Sequence, residues 1–189
     1  MKRLLMWTMA LGMGIAASAT SAHAQMSMGS FQGYLTGHIG TITGGDLSGA
    51  TLAGGASVAV HENTGWGAEF DFGIAEDAST DRVVLDVNSY MFNGAWVKPG
   101  GVFRPFALVG GGILQVNGCG APCTQSARTY DFALSAGGGT FVALHDLAAL
   151  RADVRYMFSG ADHPELNRPD NFAFWRATIG VTFMWAIVP

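Results

Sequence analysis

Two segments of the chain alternate residue by residue between apolar and polar side chains. Between positions 66 and 74, one parity is Trp66, Ala68, Phe70, Phe72 and Ile74, and the other is Gly67, Glu69, Asp71 and Gly73. Between positions 150 and 158, Leu150, Ala152, Val154, Tyr156 and Phe158 alternate with Arg151, Asp153, Arg155 and Met157. A period of two predicts β-strands with two different faces. Because the polar faces carry charges of both signs that can pair, the pattern favours an inside-out barrel with lipid outside and a polar interior.

Alternation and turn signals together predict eight strands in the chain after residue 24. Their approximate bounds are 30–42, 51–60, 66–75, 82–96, 102–116, 128–144, 147–158 and 171–185. Tight turns at 62–65, 98–101 and 145–146 alternate with longer polar loops near residues 46, 79, 121 and 165. This is the pattern of an all-β, up-and-down antiparallel transmembrane barrel. In such barrels the short turns face the periplasm and the long loops face outside.

One of these strands has a competing interpretation. Residues 144–156 include helix-favouring side chains, and Leu147, Leu150 and Val154 share helical spacing. The strict alternation from Leu150 to Phe158 nevertheless favours a strand.

The first 24 residues have the pattern of a secretory signal peptide. Lys2 and Arg3 supply the positive start, residues 4–19 the apolar run, and residues 22–24 (Ala-His-Ala) a small-residue cleavage site. A membrane anchor is the alternative, but the run is short and no stop-transfer flank follows. We expect a mature chain of 189 − 24 = 165 residues, 25–189, that forms one barrel domain.

Charge and hydropathy narrow the class of protein further. Two of the ten Lys and Arg lie in the signal peptide, so the mature chain has 8 basic and 14 acidic residues and a net charge of −6. This balance argues against a nucleic-acid partner. No stretch of about 20 apolar residues follows the signal, so a spanning helix is not expected. An exported chain that is apolar overall but lacks apolar runs fits a transmembrane β-barrel.

The only cysteines, Cys119 and Cys123, are predicted to form a disulfide. Export places them in an oxidising compartment, and an even count favours pairing. No His, Asp or Glu flanks them, which disfavours a metal site. Because so small a ring gains little loop-closure entropy, the bond would mainly fix the local shape of the loop.

The predicted inner face carries charges of both signs. Its members are Glu69, Asp71, Asp86, Asn88, Arg104, Asp131, Arg151, Asp153, Arg155 and Arg176. An eight-stranded barrel is just wide enough for side chains to fill, and an unpaired charge there is costly. We therefore expect Arg151 and Arg155 to bridge to carboxylates such as Glu69, Asp71 and Asp153. A proton relay or a catalytic carboxylate pair would need an open pocket, and an ion-conducting pore would need this network to open or more strands to exist.

Small residues share the inner parity with these charges. They are Gly67, Gly73, Gly110, Gly112, Gly137, Gly139 and Gly180. A narrow barrel needs small side chains beside large ones. The alternative for residues 110–112 is a phosphate-cradling turn, which is disfavoured because the run continues as a strand and no helix start follows.

The opposite parity is predicted to face lipid. It comprises Phe70, Phe72, Ile74, Val83, Leu85, Val87, Val109, Ile113, Phe132, Leu134, Val154, Ile179 and Val181. Interfacial girdles are expected from Trp66, Trp96, Tyr156, Trp175 and Trp185. The alternative is a soluble, lipocalin-like barrel, in which the apolar side chains form the core and the charges face water.

Two blocks of sequence resemble the small outer-membrane β-barrel family, which includes opacity-type surface proteins and relatives of the OmpA and OmpX barrels. Residues 93–113 resemble its Asn-containing strand, periplasmic turn and "F-x-P-[YF]-x-x-x-G-x-G" strand. Residues 136–141 followed by 150–156 are similar to its penultimate hairpin with an "L-R-x-[DE]-x-R-Y" strand. The C-terminus departs from the family pattern, because Ile179 replaces a polar residue and residues 186–189 extend past the closing aromatic Trp185.

The resemblance implies a monomeric protein of the Gram-negative outer membrane with a structural or surface-interaction role, such as membrane integrity or adhesion through external loops. It implies outer-membrane lipid and lipopolysaccharide as surroundings, the barrel assembly machinery during insertion, and a host or surface ligand at the loops. No catalytic residue, cofactor or metal is expected. The alternatives are a narrow porin-like channel and an outer-membrane lipid-modifying enzyme.

The histidines and the loop acids are interpreted as surface residues. No two of His38, His61, His145 and His163 have metal-ligand spacing, and nothing orients Ser159 and His163 as a nucleophile and its base. The acidic loop residues are Asp46, Glu76, Asp77, Asp81, Asp162 and Glu165, and their spacing matches no defined cation loop.

Overall fold

The computed structural model describes residues 31–80, 84–119, 126–160 and 171–187, with the side chains of residues 119, 126 and 127 left aside. Several sequence-based predictions lie outside these ranges. They are the signal peptide 1–24, the mature start at Gln25, the lipid contact of Val83, the partner cysteine Cys123, and the loop residues Asp81, Asp162, His163 and Glu165. The pairing of Cys119 with Cys123 therefore stays a prediction.

The described residues form a closed antiparallel barrel in which each strand pairs with the next one in sequence and β8 pairs with β1. The strands are β1 (Phe31–Thr43), β2 (Thr51–Glu62), β3 (Trp66–Ser79), β4 (Val84–Val97), β5 (Phe103–Cys119), β6 (Ser126–His145), β7 (Ala148–Ser159) and β8 (Phe172–Ile187). No helix in these ranges has both the length and the apolar character to cross a membrane.

The predicted eight-stranded barrel is confirmed, and so is the strand that was predicted in place of a helix near its C-terminal end. The eight predicted strands agree with the observed ones to within four residues at each end. The competing helix at 144–156 is wrong, because β7 pairs from end to end with β6 and β8. The barrel has a turn end, where the short connections after β2, β4 and β6 lie, and a loop end, where the connections after β1, β3, β5 and β7 lie.

The two parities of each strand separate into an apolar outside and a tightly filled inside. Large apolar side chains stand outward around the barrel, among them Phe132 at 69 % and Val109 at 65 % exposure. Charged side chains of β3, β7 and β8 point inward and are almost inaccessible. The charge-in, apolar-out orientation predicted from the alternation is therefore the observed one, and a lipocalin-like arrangement is excluded.

Aromatic side chains mark both ends of the apolar outside. Trp66 pairs across from Trp96 at the turn end, and Trp185 on β8 covers the glycine at position 33 at the same end of the barrel. Tyr156 and Trp175 contact each other nearer the loop end, with ring centroids 5.0 Å apart. All five predicted girdle residues are exposed on the outer face.

Predictions for the upper half of β4 were wrong in parity. Leu85 and Val87, expected against lipid, are buried inside, whereas Asp86 and Asn88, expected inside, point outward. The reason is that inward and outward side chains alternate without interruption along β4 from Trp96 to the loop end. The upper part of β4 extends past the apolar belt, where an outward polar side chain keeps its water and the interior needs apolar side chains instead.

Gly110 and Gly112 on β5 and Gly137 and Gly139 on β6 form a glycine wall that makes room for side chains of the neighbouring strands β4 and β7. Gly137 lies directly across from Arg155, and a Cβ there would sit 2.9 Å from the Cγ of Arg155 and nearer still to the Val154 carbonyl oxygen. Gly37 on the outer face differs, because a Cβ there would meet no atom within 4 Å.

These two glycines give a matched test of the glycine wall. We expect Gly137→Ala to destabilise the barrel by about 1–3 kcal/mol through overpacking. We expect Gly37→Ala to be neutral or to stabilise by up to about 1 kcal/mol, because strand glycine is entropically costly. Urea unfolding in detergent micelles, followed by tryptophan fluorescence, measures both. Similar losses for the two variants would contradict the account.

Candidate functional site

The middle of the barrel holds a charged layer, defined by His38, Glu69, Asp71, Arg151, Asp153, Arg155 and Arg176. Alternation on four strands brings them together: β1 contributes the histidine, β3 two acids, β7 two arginines and an acid, and β8 the last arginine. In sequence the layer spans positions 38 to 176, so it exists only once the barrel has closed.

Two arginines of β7 share the same carboxylates. Arg151 donates to Glu69 at 2.5 Å and, through Nε, to Asp153 at 2.9 Å. Arg155 donates to Glu69 at 2.9 Å and to Asp153 at 3.0 Å. Asp153 also accepts a hydrogen bond from the hydroxyl of Thr178 at 3.2 Å. Each charge is thus neutralised by more than one partner, which is the arrangement that makes buried ion pairs tolerable.

Asp71 joins the other half of the layer to this cluster. It accepts from Arg176 at 2.6 Å and from the Nε2–H of His38 at 3.2 Å, and it lies 3.5 Å from Nη1 of Arg155. Arg176 also reaches the hydroxyl of Ser89 at 3.4 Å. Asp71 is therefore the link between the β7 arginines and β8.

The charges of the layer balance. Three guanidinium groups face three carboxylates, and the side chains of all six residues are at most 3 % exposed. The two arginines of β7 were expected to bridge to Glu69, Asp71 and Asp153, and these are the carboxylates they contact.

Three other residues predicted for the inner charge network have different places. Asp86 points outward near the loop end, where its carboxylate accepts the backbone N–H of Asp77 at 3.1 Å. Arg104 stands on the inner parity but at the turn end, apart from the layer. Asp131 is buried on the inner face across from Leu114 and has an interaction partner of its own. The prediction of one continuous network was therefore too broad.

An apolar loop-end seal closes the barrel above the charged layer. Its large members are Ile42, Leu47, Leu85, Val87, Met91, Leu114, Val116, Met157, Phe172 and Phe174. These side chains occupy interior positions that an aqueous channel would line with polar groups. The interior is therefore layered, and the expectation of a polar interior holds only for its middle.

A strap, residues 44–49, lies across the loop end and completes this seal. The backbone N–H of Asp46 donates to the Ala173 carbonyl at 2.9 Å, and the Asp46 carboxylate accepts the Ala173 N–H at 2.7 Å. Ser48 donates to the Ser79 carbonyl through both its N–H and its hydroxyl. Leu47, between these two attachments, is 6 % exposed and belongs to the seal.

An aromatic turn-end seal closes the other side of the layer. Tyr34, Phe106 and Phe141 pack together, with ring centroids of the two phenylalanines 5.0 Å apart. The guanidinium of Arg151 lies over the Phe106 ring at 4.7 Å and near the Phe141 ring at 5.2 Å. Cation–π contacts thus join the charged layer to the seal below it.

The cavity that the described residues form beside the charged layer is too small for a substrate. The cavity next to Arg176 and Gly73 measures about 10 Å³, which is near the lower limit for one water molecule. Within the described ranges, no group of three His, Cys, Asp or Glu side chains is placed to hold a metal ion. What the layer can do chemically is neutralise and immobilise its own charges.

Sequence reasoning missed three residues that this structure singles out. His38 and Asp46 were interpreted as surface polar residues, yet His38 is 6 % exposed inside the layer and Asp46 fastens the strap. Leu47 was not considered. The parity of His38 could have revealed it, because Tyr34, Thr36 and Ile42 share that parity. No local signal marks the tertiary bonds of the strap.

The fold matches several solved outer-membrane proteins. Neisserial surface protein A superposes with a TM-score of 0.59 at 10 % identity, covering 81 % of this chain and 96 % of that one. The N-terminal β-barrel domain of Pseudomonas aeruginosa OprF gives 0.58 at 14 % identity, covering 85 % and 100 %. Yersinia pestis Ail, the attachment invasion locus protein, in complex with the heparin analogue sucrose octasulfate gives 0.55 at 15 % identity, covering 82 % and 99 %.

The class of structure is therefore that of the small eight-stranded outer-membrane barrels, as the two sequence blocks suggested. No family model matches the sequence. No curated protein is detectably similar to it in sequence.

The charge balance of the layer predicts the effect of removing one cation. Arg155→Met should destabilise the barrel by about 3–5 kcal/mol, because it leaves buried carboxylates without compensation. Adding Asp153→Asn should recover part of that loss. Arg128→Met, at an exposed arginine that contacts Asn117, should cost at most about 1 kcal/mol. Urea unfolding of the four proteins decides, and no recovery in the double variant would contradict the neutralisation argument.

Proposed function

We propose that the mature chain is a monomeric barrel of the Gram-negative outer membrane with a closed interior and a structural or surface-interaction role. The observation that carries this proposal is the layered interior, in which two apolar seals enclose a neutralised charged layer. A barrel filled in this way serves as a scaffold, and function on such a scaffold resides in its loops.

The outer surface supports the membrane placement. A belt of exposed apolar side chains between two aromatic girdles is the surface that lipid stabilises and water does not. Closure of the barrel removes the strand edges through which barrels and sheets associate, which supports a monomer. The proposed surroundings are outer-membrane lipid and lipopolysaccharide.

The last strand supports insertion by the barrel assembly machinery. Phe183 and Trp185 stand outward near the end of β8, as the sequence pattern of the family requires. The first two residues beyond the closing aromatic do not interrupt the strand, because Ala186 and Ile187 continue the pairing with Gln32 and Phe31 of β1. We propose that these two residues are tolerated as a continuation of the barrel.

The charge of the loop end bears on the kind of ligand that the loops would contact. Acidic residues at or between the loop-end strand termini are Asp46, Glu76, Asp77, Asp81, Asp86, Asp162, Glu165 and Asp170, against the basic Arg82, Arg128 and Arg168. Complementary potentials favour association. A cationic host or cell-surface partner therefore suits this chain better than a polyanion such as the heparin analogue bound by Ail.

Membrane placement can be tested with a matched pair of arginine substitutions. Val109→Arg, near the middle of the apolar belt, should cost about 2–4 kcal/mol in lipid vesicles, whereas Asn88→Arg, outward near the loop end, should cost about 0–1 kcal/mol. Unfolding by urea in vesicles measures both. If Val109→Arg is harmless, or if the wild-type barrel folds and stays soluble without lipid or detergent, the placement is wrong.

The closed interior can be tested in planar bilayers. We expect the folded barrel to give no steady unitary currents, because buried apolar side chains fill the described interior on both sides of the charged layer. Circular dichroism and urea resistance of the same sample establish that folded protein was inserted. Reproducible unitary currents would overturn the closed scaffold and favour the narrow channel.

Catalysis is not part of the proposal. A lipid-modifying enzyme would need an exposed nucleophile beside a base, whereas Ser159, the serine considered for that role, is 0 % exposed in the barrel interior. Assays of lipid deacylation and acyl transfer with purified protein address this alternative, and we expect no activity above a detergent control.

A further inference from the structure

A second polar site lies at the turn end, separate from the charged layer and from the loops. It is an open cavity of about 240 Å³. The buried rings of Tyr34 and His61 form part of its wall, and the turns after β2 and β4 form its rim. Pockets for drug-sized ligands measure roughly 300–1,000 Å³, so this one suits a ligand, or a ligand group, of few heavy atoms.

Two cations line this cavity, Lys98 and Arg104. Lys98 is the only lysine after residue 2 of the chain, and it is exposed. Arg104 is held by its Nε, which donates to the Gly101 carbonyl at 3.0 Å. In the described part of the chain neither takes part in an ion pair, in contrast to the three arginines of the charged layer.

The other polar groups of the wall are fixed by their own hydrogen bonds. The Tyr34 hydroxyl donates to Gln32 at 2.9 Å, and Nδ1–H of His61 donates to the Gly65 carbonyl at 3.3 Å. Glu62 is the one carboxylate among the lining residues, and it accepts from the Thr64 hydroxyl at 3.2 Å. The lining therefore has an excess of one positive charge, carried by donors that form no ion pair with any described residue.

We infer that this cavity binds a small anion, a phosphate or carboxylate group, with Lys98 and Arg104 as its charged donors. Arg104 offers a planar fork suited to two oxygens, and Lys98 adds a mobile point charge. The bound group would be either a free anion or the anionic end of a larger molecule reaching the turn end. The inference needs only the cavity and its charges, so it stands or falls apart from the membrane placement and from the closed interior.

The test is an anion titration of the folded barrel in nonionic maltoside micelles, followed by backbone amide resonances. Inorganic phosphate and acetate are added in separate arms at constant ionic strength. We expect saturable shifts at Gly65, Lys98 and Gly100 in at least one arm. A Lys98→Gln/Arg104→Gln double variant should bind at least about tenfold more weakly, and Arg128→Gln should bind as the wild type does. Unchanged resonances at Val109 and Ile113 show that the variants fold.

The two arms also identify the chemistry. Saturation by phosphate alone assigns a phosphate group to the site, and saturation by both assigns anionic oxygens generally. Shifts that stay linear up to about 100 mM in both arms, or affinities unaffected by the double substitution, would overturn the inference.

Discussion

The structure depends on charge neutrality, because the interior of the barrel is too narrow for water molecules to solvate buried ions. An eight-stranded barrel encloses little more than its own side chains, and a lone ion there is very unfavourable. Here three guanidinium groups meet three carboxylates, and each carboxylate is shared: Asp71 alone contacts Arg155, Arg176 and His38. Sharing of this kind fixes the distances between β1, β3, β7 and β8. The glycine at position 137 follows from the same constraint, because a Cβ there would collide with Arg155 on the neighbouring strand.

The layering of the interior gives each level of the barrel a separate task. The middle fixes which strands face one another, and the two seals keep water from reaching its ion pairs, which strengthens them. Arg151 joins the charged layer to the turn-end seal, since it pairs with Glu69 while its guanidinium plane lies over Phe106. The residues that contact a ligand at either end of the barrel can then vary without disturbing the fold. The acidic loop end and the cationic cavity at the turn end are consistent with such independence.

The features that could be predicted from the sequence followed from the two-residue period of the strands and from the balance of positive and negative charges. Strand positions and the inward direction of Glu69, Arg151 and Arg155 come directly from alternation, because a strand cannot turn one residue without turning the next. The pairing of these residues followed from the high cost of an isolated buried charge. Prediction failed where the environment changes along one strand. Asp86 and Leu85 obey the same alternation as Trp96. Beyond the apolar belt, however, the outward side chain of Asp86 is polar and the inward side chain of Leu85 is apolar. The attachments of Asp46 and the separation of Arg104 from the network are tertiary facts with no local pattern.

The strap has a consequence for how the barrel stays shut. The seam between β1 and β8 joins residues more than a hundred positions apart, for example Thr43 and Trp175, and such distant pairings form late and slowly. Asp46 lengthens that seam by one step beyond Thr43 and Trp175, with one backbone hydrogen bond to Ala173 and a carboxylate in place of the second carbonyl. Fraying from this side must therefore break a charged hydrogen bond in addition to the neutral backbone bond between Asp46 and Ala173. The first connection of the chain thereby acts as a latch on its final strand.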